Sequence, residues 1–392
     1  MSGSELLEEA DKLLPRVIEL RRAIHAEPEL GLQLPETRAR VLAELSDLDL
    51  ELELHEQTSG IVARLRGGRP GRTLLLRGDM DALPMPEDTD FAYRSTRDGA
   101  MHACGHDAHT AMLAGAARLL SNRREELAGD VVFMFQPGEE GYFGARYMLE
   151  EGVLDDVDAA FAIHVAPQLP SGSVGTRPGA MMASADVFSI EVVGRGGHAS
   201  MPYDCADPIP VACEIVGALQ SFVTRRIAAT DPVVLTVARI EAGTTTNVIP
   251  EAARLEGTLR ALSERSRSLA HEGISRIASG IAGAHGLEAS ASLVTGYPVT
   301  VNDPGFARHA LETAADLLGS ERAIEMPAPV MGAEDFGLLL QQVPGAMVFL
   351  GVRPEGEGPP APCHSNRMRL NEAALPVGMA LHAAMALRSA AA

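Results

Sequence analysis

Apolar residues recur mostly three to four apart from Glu5 to about Arg22, at Leu6, Leu13, Leu14, Val17, Ile18 and Leu20. That spacing predicts an amphipathic helix with one buried face. A second helix is predicted from Pro35 to Leu45, with the proline in the first turn, where its missing N–H costs little. The period then changes. IVARLRG and RTLLLRGD are apolar runs rich in branched residues and bounded by glycine, which predict strands buried on one or both faces. Past the loop around Pro84 and Pro86, Asp107 is a candidate N-cap for a helix carrying Met112, Leu113, Ala116, Leu119 and Leu120 on one face. Strand DVVFMFQ, helix GARYMLEEG and strand DAAFAIHV continue the alternation. Strands alternating with helices predict an α/β sheet covered by helices on both faces.

Around Ala183 the alternation restarts, with VFSIEVV, a helix from about Asp207 to Arg226, VVLTVARI, ARLEGTLRAL, and a helix from about Glu264 to Ala284. This is a β-α-β-β-α-β-like unit of about one hundred residues, the size of a small α+β domain. From Gly296 the first pattern resumes with a helix over 304–318, strand AMVFLGV and a C-terminal helix from about Asn371. The expected organisation is a discontinuous larger domain, 1–184 and 298–392, with a smaller ferredoxin-like domain inserted at 185–297.

Composition narrows the partners. The chain has 392 residues, 46% hydrophobic and 22% charged, close to the average globular protein. Its formal net charge is −20, and Lys12 is the single lysine among otherwise arginine cations. That balance argues against nucleic acid and anionic membranes as partners. No apolar run approaches the roughly 18 residues of a membrane span. The N-terminus, MSGSELLEEADKLL, is acidic where a signal peptide would be basic and then apolar, which predicts a cytoplasmic protein. Cys104, Cys205, Cys213 and Cys363 form no C-x-x-C pair and are too sparse for a disulfide framework.

Four segments put polar, metal-capable residues just after apolar strands: Asp79 and Asp81, Glu139 and Glu140, His164, and His364. In open α/β sheets the carboxyl ends of the strands form the ligand crevice, so distant segments can converge there. MHACGHDAHT is the richest of the neighbouring stretches. Residues two apart on a helix face opposite ways, so Cys104 and His106 can share a ligand only on the loop before the helix. A thiolate and an imidazole so placed suit zinc or another late first-row metal. A polar loop at a helix start is the plainer alternative, and His102 and His109 fit a structural or supporting role better. Glu139 and Glu140 in QPGEEG would pass for solvated loop residues if they stood alone. Beside a metal, one carboxylate can ligate while its neighbour takes a proton from water. No G-x-S-x-G elbow is present. Cys104 as a nucleophile paired with His106 is a weaker alternative, because it leaves two glutamates and two histidines at strand ends without a purpose.

Taken in order, RRAIHAEPELG, RGDMDALP, HACGHDAHT, QPGEEG, AFAIHV, GRGGHASMP, TTTNVIP, GTLRAL, YPVTVND, MGAEDF and CHS resemble the N-acyl-amino-acid amidohydrolases. That dimetal metallopeptidase family includes hippurate hydrolase and the plant auxin-conjugate hydrolases. The resemblance runs from about residue 15 to 385. It implies a mixed-sheet α/β/α catalytic domain with an inserted lid and dimerisation domain, and two divalent ions per chain, among Zn, Mn, Ni and Co. By resemblance Cys104, His106, Glu140, His164 and His364 are the metal ligands, with Cys104 bridging, and Glu139 is the general base. Asp81 matches an aspartate that hydrogen-bonds a ligand histidine. Asp79 stands where the broader superfamily has a metal-binding histidine, a departure that leaves the preferred metal open. His198 matches a histidine that stabilises the tetrahedral oxyanion, often in the partner subunit's site. Asn247 and Arg260 resemble residues that hold the substrate carbonyl or carboxylate.

The implied reaction is hydrolysis of the amide of an N-acyl amino acid by a homodimer or higher homo-oligomer. A dipeptidase or exopeptidase using the same centre on short peptides is the alternative. A non-catalytic metal-binding protein fits less well, because a structural site is closed by its ligands and has no use for an unligated Glu139.

Overall fold

The computed structural model describes residues 3–356 and 358–388. The outermost residues of the expected larger domain, 1–2 and 389–392, and position 357 lie outside them. The chain divides into two compact units, one of Met1–Met181, Val301–Ala328 and Asp335–Ala392, the other of Met182–Thr300 and Pro329–Glu334.

The first unit is built on an eight-stranded sheet. Its order is Glu51–Leu54, Ile61–Leu65, Val131–Gln136, Leu74–Asp79, Ala159–Ala166, Gly345–Gly351, Val174–Thr176, Ala323–Glu325. The four central strands, from Val131–Gln136 to Gly345–Gly351, are mutually parallel. Every residue in them is buried, which is why they read as unbroken apolar runs. Antiparallel pairings occur toward both edges, so the sheet is mixed. The helices Gly3–Ala26, His106–Ser121 and Leu375–Arg388 pack against one another over the sheet in one hydrophobic core. Because the central strands run the same way, Asp79, Gln136, Ala166 and Gly351 all end at one edge. The strands that patterning does not locate are short or exposed. Glu51–Leu54 is exposed throughout, and Val174–Thr176 and Ala323–Glu325 have three residues each.

The second unit has a four-stranded antiparallel sheet in the order Val233–Ala242, Ala252–Ala261, Asp186–Val193, Glu288–Thr295. With helices Pro208–Arg226 and Glu264–Ala284 between strands, its connectivity is βαββαβ. Phe188, Ile190 and Val192 alternate inward and share a core with Val211, Ile215, Leu219 and Ile274 of the helices. The opposite face keeps Val187, Val193, Val234 and Val294 exposed. The helices are capped by Asp207 and Ser263, whose side chains accept the N–H of Ile209 and Ser266. The last strand, EASASLVT, is mostly exposed, with none of its residues fully buried, and escapes hydrophobic patterning. Residues 329–334 also join this unit, where Ala183 N–H contacts the carbonyls of Val330 and Gly332 at 3.1 and 2.9 Å. Among the described residues no helix is long and apolar enough to cross a membrane.

One local expectation is corrected. The helix carrying Met112 begins at His106, and Gly105 occupies the N-cap position, so Asp107 lies inside the first turn. Its carboxylate anchors the N-terminal helix instead. Asp107 Oδ2 accepts Arg21 Nε at 2.9 Å and pairs with His25 Nδ1 at 2.8 Å, while Arg21 also reaches Glu372 at 2.7 Å and His25 Nε2 reaches Glu87 at 3.2 Å. Arg21, His25 and Asp107 are all buried, so removing one partner would strand a charge in the interior.

Burial alone would lower the His25 imidazole. The Asp107 charge and hydrogen bonds to Asp107 and Glu87 outweigh it and raise the value from 6.5 to about 9. The folded-state value exceeds the unfolded one, so this stabilisation is complete below about 6.5 and is lost as pH rises through about 9. The stability gap between wild type and His25→Gln, measured by thermal or denaturant unfolding, should therefore shrink by on the order of 2–3 kcal/mol from about pH 6 to about pH 10. A gap independent of pH would mean that His25 is not charged in the folded protein.

Candidate functional site

The strand-end residues of the first unit do converge. Asp81 follows the Leu74–Asp79 strand, and its two carboxylate oxygens accept the backbone N–H groups of Glu139 at 2.9 Å and Glu140 at 3.0 Å. One buried aspartate thus fixes the loop after the neighbouring strand, which aims both glutamates into the same space. Cys104 and His106 come from the other side. Gly105 between them is left-handed, with φ +84, and a Cβ there would lie 2.4 Å from Val165 Cγ2. This glycine turn lets Cys104 before the helix and His106 on its first turn face one point.

His164 lies within the Ala159–Ala166 strand, its Nε2 3.4 Å from Cys104 Sγ. Its Nδ1 is 2.7 Å from the Val165 carbonyl, which only accepts, so Nδ1 carries the proton and Nε2 presents a lone pair. Burial, with His109 adding to it, keeps this imidazole neutral, the form a metal ligand requires. His109 has both nitrogens committed. Its Nε2 accepts Val165 N–H at 2.8 Å and its Nδ1 meets Asp79 Oδ1 at 2.5 Å. His102 is buried outside the donor groups, and burial lowers it to about 3.

Among the described residues five sets of three potential donors lie close together, and two of these sets share the Cys104 sulfur. Cys104, His106 and His164 form one; Cys104, Glu140 and His364 form the other. His364 is delivered by a loop in which its own φ is +67 and its N–H bonds the Ala103 carbonyl at 2.8 Å. His364 Nε2 lies 3.2 Å from Glu140 Oε1, and His106 Nε2 lies 3.9 Å from the same oxygen and 4.0 Å from Glu139 Oε2. Both ring nitrogens of His106 and Oε1 of Glu140 are buried without a formed hydrogen bond. Buried polar atoms are almost always satisfied, and lone pairs held together in this way fit divalent cations.

The charges agree. A hydrogen bond that the Cys104 S–H donates to the Cys363 sulfur, burial, and the negative charges of Cys363, Glu140 and Glu139 push the Cys104 thiol well up. Burial would lower His106, but Asp79, Asp81 and Glu140 raise it to about 10. Negative charge gathered at one buried point contributes to both effects, and a bound cation would oppose it.

Asp79 is occupied elsewhere. It pairs with Arg77 and His109, and Arg77 and Gln136 both reach Asp335 Oδ1, at 3.1 and 2.8 Å. Asp335 Oδ2 also accepts Ala145 N–H at 2.9 Å. In the second unit, the Gly197–His198 strand pairs with Val248–Ile249, and Ala199 N–H bonds the Asn247 carbonyl at 3.0 Å, so His198 and Asn247 are neighbours. Arg260 lies on the Ala252–Ala261 strand opposite Val234. Asn247 and Arg260 belong to the second unit, and Cys104, His106, Glu140, His164 and His364 to the first.

Comparison with protein families matches residues 75–388 to peptidase family M20/M25/M40. The chain belongs to this family. It is 39% identical over 376 residues to thermostable carboxypeptidase 2 of Saccharolobus solfataricus, covering 95% of each chain. It is 40% identical over 380 residues to N-acetylcysteine deacetylase of Bacillus subtilis, covering 96% of this chain and 98% of the relative. Among solved structures, a dinuclear metal-binding peptidase of the M20 family from Bacillus subtilis superposes with a TM-score of 0.86 at 36% identity, covering 97% of this chain and 99% of that one. The chain is therefore a hydrolase with the mixed α/β architecture of the M20 peptidases.

Sequence reasoning about this M20 hydrolase missed what holds the donors in place. Arg77 and Asp335 stand in RGDMDALP and MGAEDF without a visible partner, since their pairing spans 258 positions. The clamp by Asp81 on two backbone N–H groups has no side-chain signature at all. Removing it should loosen both glutamates. Asp81→Ala is expected to weaken divalent-ion binding about 10- to 100-fold, the usual effect of losing a group that orients ligands. Elemental analysis after dialysis, with circular dichroism to show that the variant folds, would check this. Unchanged metal retention would mean that the clamp does not matter to the donors.

Proposed function

We propose that this M20 hydrolase cleaves the amide bond between an acyl group and an amino acid, using two divalent ions held by Cys104, His106, Glu140, His164 and His364. The observation that carries this reading is the Cys104 thiol shared by two donor groups, with Glu139 buried at their edge. The named relative that deacetylates N-acetylcysteine and the dinuclear M20 peptidase support it. Bound there, such ions lower the pKa of water toward 7 and polarise the scissile carbonyl. Zn, Mn, Ni and Co all suit a mixed thiolate, imidazole and carboxylate set.

In this reading Glu139 takes a proton from the attacking water on its carboxylate and passes it to the leaving amine nitrogen. Asp81 keeps that carboxylate in place through the backbone. His198 donates a hydrogen bond to the oxygen that becomes negative as water adds to the carbonyl. Arg260 and Asn247 hold the carboxylate and carbonyl of the amino acid. A guanidinium with no hydrogen-bond or ion-pair partner among the described residues is suited to a bidentate carboxylate grip. The second unit serves as lid and as the surface of a homodimer, where the exposed Val187, Val193, Val234 and Val294 supply apolar area. A Cys104 thiol that would hold the ions suits a reducing compartment, the cytoplasm. A second reading, exopeptidase action on short peptides, is favoured by the carboxypeptidase relative.

Amine release from hippurate, N-acetylmethionine and a set of dipeptides, with each metal added, separates the two. Faster turnover of the acyl amino acids is expected, abolished by chelator and restored by metal; dipeptides alone being cleaved would select the exopeptidase. Glu139→Gln should keep its metal and lose about 10²- to 10⁴-fold in kcat. Wild-type-like turnover in that variant would end the assignment of Glu139 as base.

A further inference from the structure

The turn that carries His198 determines which of its nitrogens bears the proton. The backbone there is held on three sides. His198 pairs with Val248, Ala199 N–H bonds the Asn247 carbonyl at 3.0 Å, and Met201 N–H bonds the His198 carbonyl at 2.8 Å. Gly197, just before it, has Cys205 behind it, so that a Cβ would lie 2.5 Å from the sulfur. The ring itself is exposed, and an exposed imidazole with no partner would rotate and exchange tautomers. It does have a partner. Nδ1 of His198 lies 3.1 Å from Ser200 N and 2.8 Å from Ser200 Oγ.

A backbone N–H only donates, so Nδ1 must offer its lone pair to it. The Ser200 hydroxyl, reaching the same nitrogen, must then donate as well. A neutral imidazole has one N–H, and it is left on Nε2. The opposite tautomer would set the Nδ1 hydrogen against the Ser200 N–H. We propose that Ser200 is a positioning residue. Through its N–H and Oγ it holds the His198 ring in one orientation and in the tautomer with Nε2–H directed away from the turn, ready to donate. This rests on the reading that His198 donates to the substrate oxygen. A hydrogen bond of that kind strengthens as charge develops, so losing its alignment lowers kcat and leaves KM nearly unchanged.

The test uses the full-length, metal-loaded chain labelled with ¹⁵N-histidine, with the His198 signals assigned by their loss in His198→Ala. Long-range ¹H–¹⁵N correlation at mildly alkaline pH should show one tautomer, with Nδ1 bare and Nε2 protonated. Ser200→Ala keeps the N–H and loses the hydroxyl. It should broaden or average those signals and lower kcat about 2- to 10-fold, the effect of one hydrogen bond, while Ser200→Thr restores both. In a His198→Ala background, Ser200→Ala should have no further effect on kcat. A wild-type spectrum with Nδ1 protonated or with both tautomers populated would overturn the proposal. So would an equal kcat loss on Ser200→Ala with or without His198. Full activity of His198→Ala would end the role of His198 itself and with it that of Ser200, an outcome the tautomer spectrum alone would not produce.

Discussion

Acidic groups converge on one buried edge, where the parallel central strands of the mixed sheet end. Asp79, Asp81, Glu139, Glu140 and Cys104 all arrive there. A buried charge must be paired or must coordinate a metal. Arg77 answers Asp79 and Asp335, and two backbone N–H groups answer Asp81. The glutamates face histidines, with His364 Nε2 3.2 Å from Glu140 and His106 Nε2 3.9 and 4.0 Å from Glu140 and Glu139. The cysteine pair and burial raise the Cys104 thiol, with the glutamate charges adding to them, and the surrounding carboxylates raise His106. The M20 architecture shapes this edge to fit cations.

The rest of the first unit keeps that edge rigid. Parallel central strands bring four carboxyl ends together, and their complete burial leaves no alternative register, since a slip of one residue would turn every side chain to the other face. Beneath the donors lies a layer of committed polar groups, Asp79 with His109 and Arg77 with Gln136 and Asp335. Each is paired or hydrogen-bonded to another of them, which holds the layer in place. His164 divides its side chain between support and donation, one nitrogen spent on a carbonyl and the other free.

The second unit arranges its chemistry by different means. His198 sits on a two-residue strand in a glycine-rich turn, and its definition comes from its own neighbours Ser200, Asn247 and Val248. The candidate metal donors are oriented by contacts from strands far away in sequence, and His198 by its own turn and the short strand paired with it. Loss of one local hydrogen bond would be felt at His198 alone, whereas loss of Asp81 or Arg77 would be felt across the whole donor set.

The sequence by itself determined the order and type of the long elements, because buried parallel strands and amphipathic helices leave strong periodic traces from Leu74 through Leu350. It also pointed to candidate donors, because Glu139, Glu140, His164 and His364 stand at or after the ends of apolar strands and Cys104 and His106 in a polar stretch before a helix. The short strands at the sheet edge, the polar strand Glu288–Thr295 and the start of the helix at His106 were not legible. Exposed or three-residue strands carry no period, and a glycine in the left-handed region replaced the expected aspartate cap. Only the tertiary structure decided which donors share Cys104, which histidine nitrogens are free, and that Asp79 and His109 serve each other. Those outcomes depend on hydrogen bonds between segments from 30 to more than 250 positions apart, and no local pattern encodes where a distant partner will be.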